Sequence, residues 1–337
     1  MRNHRIVVTK TGGPEVLRLV EEDCPEPRAG EARVKVLAAG VSAYDVMVRS
    51  SRILPPRPPF TPGVDIVGVV DKLGEGSSGI EPGQRIAALL GFGNGGYAEY
   101  VCAPAGDLVP VSPELDPAEA VCLVANYLTA HRMMYETAKL QEGERILVQG
   151  AAGGVGSAIL ELGRLANLRM IGTASPRNHD LVSSLGATPI DYRSESVVKR
   201  VRDLTGGGVD AAFDPIGGFR QLLRSYRALQ KGGRLVWFGV AATKYSGIKI
   251  IPLSIATMLL LSVVPDGRRT LFASDESEHT RRVLPEILEL YRRGKLHPLV
   301  AERIPLAEAR RAHEAIERGG YAGKFVLVAG GQERGTA

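Results

Sequence analysis

Residues 150–158 read GAAGGVGSA, between the apolar run RILVQ and the amphipathic run ILELGRLANL. Glycines at a strand-to-helix junction permit a tight turn. They also let a pyrophosphate approach the backbone where the first N–H groups of a helix are unsatisfied and its dipole is positive. The pattern is Ala151-x-Gly153-x-x-Gly156, with Ala151 where the first glycine of a dinucleotide fingerprint usually stands and Gly150 ahead of it. The expected phosphate contacts are Ala152, Gly153, Gly154, Val155 and Gly156. A helix cap with no ligand is the bland alternative, but a strand before, a helix after and a further strand RMIGTA at the right distance favour a dinucleotide.

A site for NAD places a carboxylate about 20 residues past the glycines, where it holds the ribose hydroxyls. Here the second strand ends GTASPRN, with Thr173, Ser175, Arg177 and Asn178 and no acid before Asp180. Tyr192 and Arg193 follow the next strand. A 2′-phosphate would meet donors there instead of a repelling anion, so NADPH is the expected cofactor; an ordinary polar loop is the alternative.

The elements that must position these groups follow from the rest of the chain. With 337 residues it is long enough for two domains. Up to about residue 120, short β-rich runs (RIVVTK, ARVKVLAAG, DIVGVVDKLG, QRIAALLG) alternate with glycine and proline turns. From 124 the rhythm becomes strand, helix, strand, which implies parallel strands with crossover helices in a doubly wound sheet. The helical runs after 265 and the strand GKFVLVAG return to the first domain. The expected division is therefore 1–123 with 266–337, mostly β, and 124–265, an α/β dinucleotide-binding domain.

Three separated cysteines supply neither a disulfide framework nor a four-cysteine zinc lobe. The start MRNHRIVVTKTGG lacks the apolar core of a secretory signal, so a cytoplasmic protein is expected. The net charge of +5 comes from basic pairs interrupted by acids, without aromatic interleaving, and gives no nucleic-acid surface. The run IIPLSIATMLLLSVV (250–264) is shorter than a membrane span and reads as buried core or subunit interface, with membrane contact the minority reading.

Taken together, GERILVQGAAGGVGSAILELGR (143–164), AAGVSAYDVMVR (38–49), PGVDIVGVVDKLGEG (62–76), ANYLTAH (125–131), FDPIGG (213–218), GGRLVWFG (232–239) and GKFVLV (323–328) resemble the zinc-independent quinone oxidoreductases. These form the zeta-crystallin group of the medium-chain dehydrogenase/reductase superfamily, and within it the resemblance is to the vesicle amine transport protein branch. It implies a Rossmann domain joined to a GroES-like catalytic domain, a homodimer, and hydride transfer from NADPH to a small quinone or α,β-unsaturated carbonyl. A pathway-specific enoyl reductase, or a nucleotide- or lipid-binding protein with weak turnover, stays open beside it.

The same resemblance assigns residues. Ser42, Val64 and Ala125 stand where zinc relatives carry cysteine, histidine and cysteine, so no metal site is expected. The nicotinamide is expected between the domains, touched by Ser42, Asn126, Thr129, Phe238, Gly239, Val240 and Lys324. Ile53 replaces a pocket tyrosine, leaving Tyr44, Tyr127 and Tyr245 as substitute hydroxyls, each with a packed aromatic as the alternative. Asp45 and Asp65 are expected to be structural, bonding domain backbone and Arg49, and His131, beside Thr129, reads as a polar-core or surface histidine, with acid/base catalysis the minority reading.

Overall fold

The computed structural model describes residues 1–51, 53, 56–91, 95–239, 250–272 and 277–328. It divides into two compact units, Met1–Ala125 with Ser277–Arg318 and Lys324–Ala337, and Asn126–Glu276 with Gly319–Gly323.

The first unit opens with β1 (Arg2–Val8) and β2 (Leu17–Asp23), an antiparallel pair. β3 (Glu31–Val41) is the central strand of a larger sheet, and its run of valine and alanine is buried on both faces over most of its length. Helix α1 (Ala43–Arg49) follows at once, then β4 (Asp65–Leu73), β5 (Arg85–Leu89), β6 (Tyr100–Pro104), β7 (Val109–Pro110) and α2 (Pro117–Cys122).

The second unit begins with α3 (Leu128–His131) and then alternates: β8 (Arg145–Val148), α4 (Gly154–Leu165), β9 (Arg169–Ala174), α5 (His179–Ser184), β10 (Ala187–Asp191), α6 (Val197–Thr205), β11 (Val209–Asp214), α7 (Phe219–Arg227), β12 (Leu229–Trp237), α8 (Ile250–Ser262) and β13 (Arg269–Phe272). The sheet runs β10-β9-β8-β11-β12-β13 with every pairing parallel, the doubly wound order in which the first strand lies at the switch point. Ligands bind such sheets at the carboxyl ends of the strands beside that point, which here is the end of β8 and the glycine run.

The chain returns through α9 (Ser277–Arg292), β14 (Val300–Pro305), α10 (Ala309–Arg318) and β15 (Lys324–Val328). β15 inserts between β14 and β3, completing the order β14-β15-β3-β4-β5-β7, with β6 also on β3. The first unit is thus a mostly β, GroES-like fold and the second a Rossmann fold.

One expectation needs correction. The return falls at 277 instead of 266, because 269–272 adds β13 to the parallel sheet. Within 250–264, α8 sets Ser254, Thr257, Met258 and Leu261 against its unit and leaves Leu253, Ile255, Leu259 and Leu260 exposed, an exposure that the interface alternative already allowed. Among the described residues no helix is long and apolar enough to cross a membrane.

Candidate functional site

The turn after β8 is built from residues with different tasks. Gly150, at φ +66°, takes the left-handed conformation that turns the chain, so the turning glycine is Gly150, one place ahead of the fingerprint's first position. Ala151 is wholly buried, and a Cβ on Gly172 of β9 would lie 2.6 Å from its methyl. Gly153 caps α4 with no side-chain partner, and Gly153, Gly154 and Val155 are half-exposed, so the first backbone donors of α4 open outward. Gly156 is buried where a Cβ would lie 2.9 Å from the Ala151 carbonyl oxygen, which lets helix and turn close on each other. Ala152 is buried and its carbonyl accepts from Gly323 N–H at 2.9 Å. Thr173, expected at the cofactor, is instead a brace: its hydroxyl donates to Gln149 at 2.8 Å and accepts from Gly150 N–H at 3.1 Å.

Asn126 lies just ahead of α3 and is 8% exposed. A Cβ on Gly154 would come within 2.5 Å of its Nδ2, so that glycine admits the amide over the start of α4. Thr129, half-buried, sits on α3, which packs on α4. His131 packs against Tyr135 with ring centroids 4.6 Å apart and the planes tilted by 51°.

At the end of β9, Ser175 is 6% exposed and its carbonyl accepts from Asn178 N–H at 2.9 Å, while the carboxylate of Asp191, on the neighbouring strand's end, is taken up by Arg193 N–H and the Ser194 hydroxyl. The register Asp191↔Ala174 brings the ends of β10 and β9 side by side, so Tyr192 leaves its strand beside Ser175. Tyr192 is exposed, with the Arg193 guanidinium 5.7 Å from its ring centre. Arg177 is exposed and donates to the Gly319 carbonyl at 3.4 Å.

Beyond β11, Asp214 accepts from the N–H groups of Ile216 and Gly217 at 2.8 and 3.0 Å and from Ser225 at 2.6 Å, shaping the DPIGG turn; burial pushes its carboxyl up. Phe238 N–H donates to the Asp214 carbonyl at 3.1 Å, and the Trp237 indole to Gly239. Phe238 and Gly239 are half-exposed; Val240 and Tyr245 lie outside the described residues.

In the first unit Ser42 caps α1 in a reciprocal box with Asp45: Ser42 Oγ donates to Asp45 Oδ2 at 2.7 Å, and Asp45 N–H donates back at 3.3 Å. Asp45 also accepts from Gly63 N–H at 2.9 Å, and burial raises its carboxyl. Tyr44, Asp45, Pro56, Phe60, Thr61 and Val64 line a recess beside α1. Burial and the charge of Asp45 push the Tyr44 phenol up to about 12, so it stays a neutral donor. Ile53 is half-buried, while 52, 54 and 55 lie outside the described residues.

Lys324, expected at the nicotinamide, is 3% exposed and paired with wholly buried Asp65. Ala125 N–H donates to the same Asp65 oxygen at 3.1 Å, and a Cβ on Gly40 would lie 2.5 Å from Nζ. Arg49, expected on the aspartates, pairs with Glu317. Among the described residues no group of three or more His, Cys, Asp or Glu is placed to hold a metal ion.

Tyr127 is not a pocket hydroxyl. It is 2% exposed and donates to Glu161 of α4, itself 1% exposed. The sequence reading missed the Lys324–Asp65 pair, the contact of Tyr97 with His313 (3.3 Å) and the tie of Gly319–Gly323 to the coenzyme loop. Only the glycines of GGYAGK, ahead of the last strand, signalled the third.

The Alcohol dehydrogenase GroES-like domain model matches residues 28–113 and the Zinc-binding dehydrogenase model residues 185–327. The mouse Synaptic vesicle membrane protein VAT-1 homolog-like is 30% identical over 96% of this chain and 80% of its own. The quinone oxidoreductase of Lama guanicoe is 30% identical over 96% of each. Mycobacterial Rv1454c, solved in complex with NADPH, superposes with a TM-score of 0.86 at 30% identity, covering 96% of this chain and 99% of that one. Sheet order, glycine turn and likeness along nearly the whole length agree, and the chain belongs to the medium-chain dehydrogenase/reductase superfamily of oxidoreductases, in the branch that holds the quinone oxidoreductases and the VAT-1 homologues.

Proposed function

We propose that this chain is a cytoplasmic, NADPH-dependent reductase of quinones or α,β-unsaturated carbonyls that works without a metal. The observation that carries the reading is the end of β9. Ser175 and Asn178 present hydroxyl and amide there, Arg177 and Tyr192 stand beside them, and no carboxylate intervenes before Asp180. The likeness to Rv1454c, solved with NADPH, and to quinone oxidoreductases supports it.

The residues fit the coenzyme. The half-exposed start of α4 offers the backbone donors of Gly153, Gly154 and Val155 to a pyrophosphate, and the bare Gly154 lets the Asn126 amide lie close beside them. Bound there, the coenzyme supplies a hydride. Ser175, Arg177, Asn178 and Tyr192 hold the 2′-phosphate; Asn126, Thr129, Phe238 and Gly239 orient the nicotinamide portion, and Lys324 keeps Asp65 neutralised.

In the β unit, Tyr44 borders the recess assigned to the acceptor, with Ser42 fixing the start of the helix that carries it, and Tyr44, neutral at physiological pH, donates a hydrogen bond to oxygen on which charge develops. Ile53 gives the neighbouring surface an apolar side chain, which suits flat acceptors. At the metal-ligand positions Ser42 is committed to Asp45, and Val64 and Ala125 have no donor side chain. The acceptor is therefore one that needs no Lewis acid, a quinone or an enone whose charge is delocalised.

The test is oxidation of NADPH and of NADH with 9,10-phenanthrenequinone and with an enone, run beside vesicle co-sedimentation. Turnover that prefers NADPH supports the proposal. Coenzyme binding with no turnover on either acceptor, together with co-sedimentation, favours a lipid-associated binding protein through the exposed side of α8.

A further inference from the structure

The pentapeptide Gly319–Gly323 connects α10 to β15, yet it is packed with the Rossmann unit. It is tied at both ends to elements of the coenzyme site. Gly323 N–H donates to Ala152 of the glycine turn at 2.9 Å, and the Gly319 carbonyl accepts from Arg177 Nη2 at 3.4 Å. Gly319, Gly320 and Gly323 have φ of +69°, +80° and +77°, a run that side-chain-bearing residues rarely adopt. At Gly320 the reason is visible, since a Cβ there would fall onto the Arg177 guanidinium.

An exposed arginine ordinarily samples many rotamers and loses that freedom when it grips a ligand. Arg177 is instead laid across a bare Cα and held by one carbonyl. A guanidinium has five donors in a planar fork, so a single bond to Gly319 leaves the others for an anion. We infer that Gly319–Gly320 positions Arg177 for coenzyme choice, and that Gly320 is a specificity-determining residue although it offers the coenzyme no side chain. The inference rests on the NADPH reading above.

The prediction is selective. A side chain at 320 collides with the far end of a flexible arginine, which yields more easily than backbone, so the fold survives while the guanidinium is displaced. Asparagine is the substitution of choice because it tolerates positive φ better than other side chains. Calorimetric titration of wild type, Gly320→Asn, Arg177→Ala and the double variant with NADPH and with NADH tests it. Gly320→Asn should weaken NADPH by roughly five- to tenfold, the scale of one charge-assisted contact, and leave NADH unchanged. In the Arg177→Ala background the same change should cost nothing further, since both act through one side chain. Equal loss for both coenzymes, unchanged or tighter NADPH binding, or additive losses in the double variant would each overturn the inference while leaving the NADPH reading in place. A wild type that does not prefer NADPH to NADH overturns the reading, and the inference with it.

Discussion

The ammonium of Lys324 meets the carboxylate of Asp65 in the interior of the β unit, where Lys324 is 3% exposed and Asp65 not at all. Taking either charge away strands the other without water. Asp65→Asn or Lys324→Met alone should therefore destabilise by ~3–5 kcal/mol, whereas the double variant, with both charges gone, should recover much of that loss. Urea denaturation measures all four proteins. Single variants that lose less than about 1 kcal/mol would show that the pair is hydrated in solution.

Tyr127 gives the opposite kind of prediction, a hydroxyl that matters to the fold and not to turnover. Its phenol donates to buried Glu161, so Tyr127→Phe should cost ~1–3 kcal/mol by leaving a buried acceptor short of a donor. The rate per folded molecule should stay within about twofold of wild type, far from the tenfold that a lost transition-state bond of ~1.4 kcal/mol produces. A hundredfold fall in kcat with unchanged stability would restore Tyr127 to the chemistry.

Stability at mildly acidic pH should report on His313. It is wholly buried, and burial together with the Arg49 charge lowers it from 6.5 to about 3, while Tyr97 supplies a ring nitrogen with its one close contact, at 3.3 Å. The unfolded chain takes up this proton near 6.5 and the folded chain does not, so stability is lost as pH falls from about 6.5 toward 3. The slope approaches ~1.4 kcal/mol per pH unit. Between pH 6.5 and 5, wild type should lose about 1–2 kcal/mol more than His313→Gln in parallel denaturation series. Equal losses in the two proteins would mean that His313 is protonated in the native state.

Metal content follows from Ser42, Val64 and Ala125. Elemental analysis of protein purified without chelator should find no stoichiometric zinc, and a chelator should leave quinone reduction unchanged. Activity removed by the chelator and restored by zinc would contradict the acceptor chemistry proposed above.

Association concerns the edge of the parallel sheet. GRLVWFG forms part of β12, which is paired on both sides, so the edge belongs to its neighbour β13. Beside it Leu259, Leu260 and Val263 are 59%, 58% and 74% exposed. Among the described residues that edge carries no further strand, and such an edge next to so much apolar surface favours pairing with a second copy. Sedimentation equilibrium at micromolar concentration should find a dimer, and Leu259→Asp should shift it toward monomer.

What the sequence could display was whatever repeats locally. The alternation from β8 to β12 was legible because each strand is a short apolar run and each helix carries its own period, and GAAGGVGSA stands at one junction of the two. That Gly150 rather than Ala151 makes the turn depends on φ, which spacing does not encode. Thr173 looked available because its partner Gln149 lies on the neighbouring strand's end, 24 residues away. β13 was missed since RTLF is only four residues, none of them buried, and lacks the apolar run of the other strands. Tyr127 and Glu161 are 34 residues apart, and their pairing depends on how the chain ahead of α3 meets α4.

The insertion of β15 between β14 and β3 bears on the order of synthesis. Asp65 leaves the ribosome 259 residues before the lysine that neutralises it, and β3 waits longer still for one of its neighbours. Most of the Rossmann unit is complete by Glu276, well before that. The nascent β unit must therefore carry an unsatisfied carboxylate and an open strand through most of translation. A stop between Glu276 and Lys324 leaves a polypeptide whose second unit is nearly whole and whose first cannot close, a form that quality-control proteases would recognise by its exposed edge.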